Sequence, residues 1–192
     1  TWRQHFRFWG REVVVDRPGL WVESMAAMKC DIVIRNGLVV DGTGSPPFVA
    51  DVAVKGEKIS AVGKELSVSA DRIVDATGHI VTPGFVDIHT HYDGQITWDP
   101  WLSPSTQHGV TTVLFGNCGV GFAPCREDDK DRLIDFLESV EDIPGIAMHE
   151  GIKWTWETFP EYINTLSQTQ AACDFLAMVG HVPLRVYTLP SQ

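Results

Sequence analysis

A chain of 192 residues, 44% hydrophobic and 21% charged, has enough apolar material for an ordinary globular core and too much of it for wholesale disorder. With a formal net charge of −10 and no cluster of Lys and Arg, it lacks the concentrated positive patch that phosphates require, so no nucleic-acid partner is expected. No apolar run approaches the ~20 residues of a membrane-spanning helix, so no membrane partner is expected either.

Residues 1–27 are rich in Trp and Arg and contain a strand-like Val13-Val14-Val15 followed by the turn signal Arg17-Pro18-Gly19. They read as an N-terminal extension, untranslated or disordered, with translation expected to start at Met28. From residue 31 the pattern is β. Ile32-Val33-Ile34 and Leu38-Val39-Val40 flank Asn36-Gly37, the dipeptide favoured in a type I′ hairpin turn, so a hairpin is predicted there. Residues 42–47 form a loop. Residues 51–55 and 59–62 repeat strand, turn and strand around Gly56-Glu57-Lys58, and residues 72–75 and 80–81 add short strands. Residues 28–82 thus read as a small all-β domain of sandwich type.

The rhythm then changes. Residues 85–88 are a buried strand, 102–108 a short helix behind Pro100, and 110–115 a second strand rich in β-branched residues. Residues 128–140 have helical spacing, with Leu133, Phe136, Leu137 and Val140 on one face. A further helix is predicted over 156–166 and a third strand over 175–179. Strands alternating with helices imply parallel βα units, so residues 83–192 are predicted to be α/β.

The segment TPGFVDIHTH, residues 82–91, carries the chemistry. Side chains alternate along a strand, so His89 and His91 point the same way, with Asp87 if the strand runs that far. Two imidazoles so placed can share one cation, and zinc accepts such nitrogens readily. A lone His-x-His is a weak signal, more often just two polar residues at a strand end. The second strand ends in GNCG, residues 116–119, so Cys118 also sits just past a strand end. In a parallel barrel all strand C-termini open on one face, where a thiolate is a strong soft donor to zinc. The four cysteines, Cys30, Cys118, Cys125 and Cys173, are irregularly spaced and unlike a disulfide framework, which predicts a reducing, cytoplasmic setting.

These motifs carry a resemblance. TPGFVDIHTH after a β unit opening DIVIRNGLVVDGTG resembles the start of an amidohydrolase. HGVTTVLFGNCGVGFAP, WTWETFPEYI and VGHVPLR are similar to the N-acyl-D-amino-acid deacylases, the D-aminoacylases. The resemblance spans roughly residues 28–187. It implies a (β/α)8 TIM barrel behind a small all-β domain, and a metal-dependent hydrolase of linear amide bonds whose substrate is a small N-acyl amino acid. It implies one or two Zn2+ ions with His89, His91 and Cys118 as ligands. Asp87 is then a carboxylate orienting a ligand, and Asp93, His181 and Arg185 are site-lining. Asp99 lies in the same loop as Asp93, where most aspartates form turns. The relatives with a lysine bridging two metals, such as the cyclic-amide dihydroorotases and hydantoinases, are the alternative, and GNCG argues against them. A third reading is an inactive metal-binding remnant.

A whole barrel takes ~250 residues, so the stretch after Pro83 holds only about three strands. The resemblance places two further histidines and the catalytic aspartate on later strands, so the chain reads as an N-terminal fragment.

Overall fold

The computed structural model describes residues 4–8, 11–15 and 28–189. The chain divides into two compact units, Thr1–Pro83 and Gly84–Gln192. Apart from a short antiparallel hairpin of backbone, β1 (Gln4–Phe8) with β2 (Arg11–Val15), the expectations for residues 1–27 lie outside the described residues.

The rest of the first unit is one five-stranded mixed sheet. β3 (Met28–Val39) is its long central strand. It pairs antiparallel with β4 (Phe48–Lys55) and parallel with β6 (Val68–Asp75) and the short β7 (Ile80–Val81), while β5 (Lys58–Gly63) continues antiparallel from β4. The predicted Asn36-Gly37 hairpin is corrected here: β3 runs straight through the dipeptide, and the hairpin turns after Val39. Between Ile34 and Gly37 the register with β4 slips by one residue, a β-bulge. Asn36 does take the left-handed conformation that such a turn requires, at φ 61°. Its N–H, freed from the ladder, donates to Asp51 Oδ1 at 3.0 Å. The other oxygen of Asp51 pairs with Arg35 Nη1 at 2.6 Å and accepts the Leu66 N–H at 3.0 Å. One buried carboxylate thus satisfies the bulge, a guanidinium and a loop amide.

The second unit is α/β. Three strands, β8 (Phe85–Asp87), β9 (Val110–Phe115) and β10 (Asp174–Ala177), form a parallel sheet in the order β8-β9-β10. This is the opening of a (β/α)8 barrel, three strands long and not closed. The connection from β9 to β10 carries α1 (Lys130–Glu141), α2 (Gly145–Gly151) and α3 (Phe159–Ser167), and α4 (His181–Thr188) follows β10. The face of α1 differs from the predicted one: Leu133, Ile134 and Leu137 are buried, whereas Phe136 and Val140 are partly exposed. The helix predicted over 102–108 is a single 3-10 turn, Ser105–His108, ended by Gly109 at φ 84°. α3 opens with a reciprocal cap, in which Thr158 Oγ1 accepts the Glu161 N–H and the Glu161 carboxylate accepts the Thr158 N–H. The core packs Val113 and Phe115 of β9 against Leu133, Ile134 and Leu137 of α1, with Tyr162 and Leu166 of α3. Among the described residues, no helix is long and apolar enough to cross a membrane.

Candidate metal centre

The β8 strand stops at Asp87, so the His pair lies on the loop beyond it. Two devices fix that loop. Asp87 Oδ1 accepts the His89 N–H at 3.1 Å. Thr90 donates to the Leu114 carbonyl from its N–H at 3.0 Å and from Oγ1 at 2.9 Å, which stitches the loop to the end of β9. From the other side, the Asn117 amide donates to the carbonyls of Thr90 (3.2 Å) and Leu114 (2.9 Å). The segments HTH and GNCG are therefore tied together through the backbone on either side of the reactive side chains.

The GNCG segment is a tight 3-10 turn. Gly116 sits at φ 88°, and a Cβ there would collide with the Met178 carbonyl of the neighbouring strand end. Cys118 itself adopts φ 53°, ψ 9°, a left-handed conformation uncommon for a residue with a side chain. The strain turns Sγ toward the histidines: His89 Nε2 lies 3.3 Å from it. Donor atoms of His89, His91 and Cys118 all fall within 4.8 Å of one another. No other trio of His, Cys, Asp or Glu among the described residues meets that test.

Electrostatics suit a cation. Burial lowers the His91 imidazole, against the pull of Glu141 and with a push from His89, which favours the unprotonated form that can bind a metal. His91 Nδ1 is buried with no hydrogen-bond partner. Desolvation and the Glu141 carboxylate raise the Cys118 thiol, so its proton leaves when a cation takes its place. Two imidazoles and a thiol are a borderline-soft donor set that fits zinc.

The remaining residues singled out by sequence fall around this cluster. Asp93 is buried, with Oδ2 unpartnered; burial pushes its carboxyl up to about 7, opposed by the Gly116 N–H. Its backbone carbonyl accepts the Tyr162 hydroxyl at 2.7 Å. Asp99 is a turn former: it accepts the N–H groups of Trp101 and Ser103, each at 3.0 Å. His181 opens α4 with its backbone and Cβ against Gly119, and Arg185 lies one turn further on, exposed. Neither joins the His89–His91–Cys118 group. Sequence reading missed Glu141. From the last turn of α1 its Oε2 lies 3.2 Å from His91 Nε2.

Comparison with known proteins gives a consistent picture. The family model described as "Amidohydrolase family" matches residues 72–190. The D-aminoacylase of Alcaligenes xylosoxydans xylosoxydans is 34% identical over 160 residues, covering 83% of this chain and 31% of that protein. The N-acyl-D-glutamate deacylase of the same organism is 47% identical over 158 residues, covering 82% and 30%. The structure of an N-acyl-D-glutamate deacylase from Bordetella bronchiseptica, complexed with zinc and a phosphonate inhibitor, superposes with a TM-score of 0.69 at 32% identity, over 85% of this chain and 32% of that one. The chain spans about a third of the length of each of these proteins.

Proposed function

The chain belongs to the amidohydrolase family, and from that premise we propose that it supplies the first metal ligands of a hydrolase that cleaves the linear amide of N-acyl-D-amino acids. The observation that carries this reading is the convergence of two imidazoles and a thiol, from two consecutive strand ends, within 4.8 Å. The similarity to deacylases over most of the chain supports the substrate class.

In this reading His89, His91 and Cys118 are zinc ligands. A bound zinc ion supplies a water acidified toward pKa ~7 and a Lewis acid for the amide carbonyl. The chain's own residues hold the site. The two imidazoles present ring nitrogens to the cation. Cys118 gives up its thiol proton on ligation, so affinity rises with pH. Asp87 positions the His89 backbone, and Asn117 and Thr90 keep the two ligand segments in register. Asp93, His181 and Arg185 are retained as site-lining residues. Asp93 lies beneath the loop, and the other two lie at the start of the helix beside Gly119. No proton carrier is assigned among the chain's own residues. The partner is a small N-acyl amino acid, and the setting is the cytoplasm, in keeping with four unpaired cysteines.

Two measurements test this. Whole protein is assayed on N-acetyl-D-methionine, N-acetyl-D-glutamate, their L-enantiomers and a hydantoin; turnover confined to the D-amides is expected, and no rate on either sinks the substrate reading. Separately, Cys118→Ala should lower zinc content per chain. A variant that retains all its zinc removes Cys118 from the ligand set.

A further inference from the structure

The side chains of Thr90 and Asn117 cross between the two ligand segments, and they meet at one atom. The Leu114 carbonyl, near the end of β9, accepts from the Thr90 N–H at 3.0 Å, from Thr90 Oγ1 at 2.9 Å and from Asn117 Nδ2 at 2.9 Å. A carbonyl oxygen has two lone pairs, so the two Thr90 donors already satisfy it and the Asn117 bond is surplus to that need. The same amide also donates to the Thr90 carbonyl at 3.2 Å. Its orientation is forced, since Oδ1 in the place of Nδ2 would face two acceptors. Thr90 stands between His89 and His91 and is thereby held at its N–H, its hydroxyl and its carbonyl. Asn117 immediately precedes Cys118, whose left-handed backbone a residue with a side chain does not adopt unaided. His89 Nε2 and Cys118 Sγ stand 3.3 Å apart. Two ligands of a tetrahedral zinc stand roughly 3.3–3.7 Å apart, given bonds of ~2.0–2.3 Å. The spacing that the amide spans is thus already that of a ligand pair.

We propose that Asn117 is a positioning residue whose amide sets the distance of the Cys118 thiol from the histidine pair, and that this spacing, rather than the stability of the fold, is what the side chain supplies. The inference rests on the metal-centre reading above. Asn117 is half-buried, so water can take its place on both carbonyls and the fold survives its loss. The ligand spacing does not survive it. Without the amide the turn is free to relax from the φ of 53° at Cys118, and a cation must first restore the spacing before it can bind.

The test is run on the whole protein, as the assays above are, with cobalt(II) as the probe. Affinity is measured by chelator competition, folding by far-UV circular dichroism, and stability by a melt of the metal-free protein. Asn117→Ala should bind cobalt at least about tenfold more weakly, the scale seen when a group that supports a ligand is removed, while its metal-free melt stays near that of wild type. Asn164→Ala, which removes an exposed amide from α3, should match wild type in both. Thr90→Val keeps the shape and the N–H bond to Leu114 but loses the hydroxyl, so it should lose less affinity than Asn117→Ala. In the double variant the loss should depart from the product of the single losses, because both bonds converge on one carbonyl. The inference is overturned, and the metal-centre reading left standing, by any of four results: unchanged cobalt affinity in Asn117→Ala, a lowered melt with unchanged affinity, failure of that variant to fold, or a double-variant loss equal to the product. If the wild-type protein binds no cobalt, the metal-centre reading falls and takes this inference with it.

Discussion

Replacing Tyr162 with Phe isolates the contact that anchors the histidine loop. Tyr162 lies on α3 with 2% of its surface exposed, and its ring packs 4.8 Å from Trp156 and 6.1 Å from Phe159. Its hydroxyl donates to the Asp93 carbonyl at 2.7 Å, two residues after His91. Burial and the Asp93 charge push the phenol well above its ordinary value, so it remains a donor across the working pH range. The Phe variant keeps the ring and opens no cavity, so the whole effect is one lost bond and one buried carbonyl left without it, about 1–3 kcal/mol. In urea, with a slope of ~2 kcal/mol/M, the midpoint of the transition should fall by roughly 0.5–1.5 M at unchanged slope, followed by tryptophan fluorescence. Tyr162→Ala loses the ring as well and should cost about 3–5 kcal/mol. The Phe variant should also weaken cobalt binding, because the loop holding His91 loses its tether. A midpoint shift below about 0.2 M, well under the smallest expected loss, would show that the hydroxyl anchors nothing.

Two further substitutions probe the parts on which the site rests. Gly116→Ala forces a side chain into left-handed backbone and against the Met178 carbonyl, so it should destabilise by at least about 2 kcal/mol and lower bound metal, both readable by a thermal melt with and without zinc. Asp51 bears on the first unit and on pH. Burial alone would raise its carboxyl, but the Asn36 N–H, the Arg35 guanidinium and the Leu66 N–H outweigh it and hold the group below its ordinary value of 3.8. A depressed folded pKa gives stability that is present above the unfolded value and lost as pH falls through the folded one. Asp51→Asn should therefore cost about 1–3 kcal/mol at pH 7, with the gap closing below about pH 4. A gap independent of pH would show that shape, not charge, sets the effect.

Strand β9 and the convergence of His89, His91 and Cys118 were legible because their signals are local. Val110–Phe115 is a run of β-branched and apolar residues, and the spacing of His89 and His91 just past a strand needs no tertiary knowledge to bring two imidazoles together. The placement of Cys118 beside the histidines needed one inference more, that consecutive parallel strands end on one face. The bulge at Asn36-Gly37 was misread because left-handed Asn serves a turn or a bulge equally well. The deciding group is Asp51, which lies 15 residues away and satisfies the bulge amide. Helix α2 was not legible: it has seven residues, begins and ends in Gly, and is too short for a periodic stripe. On α1 the periodicity was right and its phase was not, since Ile134 and Phe136 are both apolar and only packing against β9 chooses between them. Glu141 was beyond reach for a related reason. Its approach to His91 depends on where α1 stops and how the helix returns over the strand ends, and neither is written in the residue itself.

Three features that ordinary folding disfavours meet in this one place. Cys118 holds left-handed backbone, at about 1–2 kcal/mol against a relaxed residue. His91 Nδ1 and Asp93 Oδ2 are buried without partners, each at a cost of about 1–3 kcal/mol. The Glu141 carboxylate sits at the negative end of its helix. Stability alone would favour Gly or Asn at 118, a leucine at 93 and a lysine at 141. Each of those residues would relieve its local conflict, and each would remove a polar group from the space between the two strand ends. Such rule-breaking concentrates where a site is built, because a group satisfied within the protein has little left to offer a ligand. One cation between the histidines and the cysteine would draw on the two imidazoles and the thiol together, with the Glu141 charge beside His91. That a single added charge answers so many of these conflicts, while the same conflicts have no common cause in packing, is the physical case for a metal centre here.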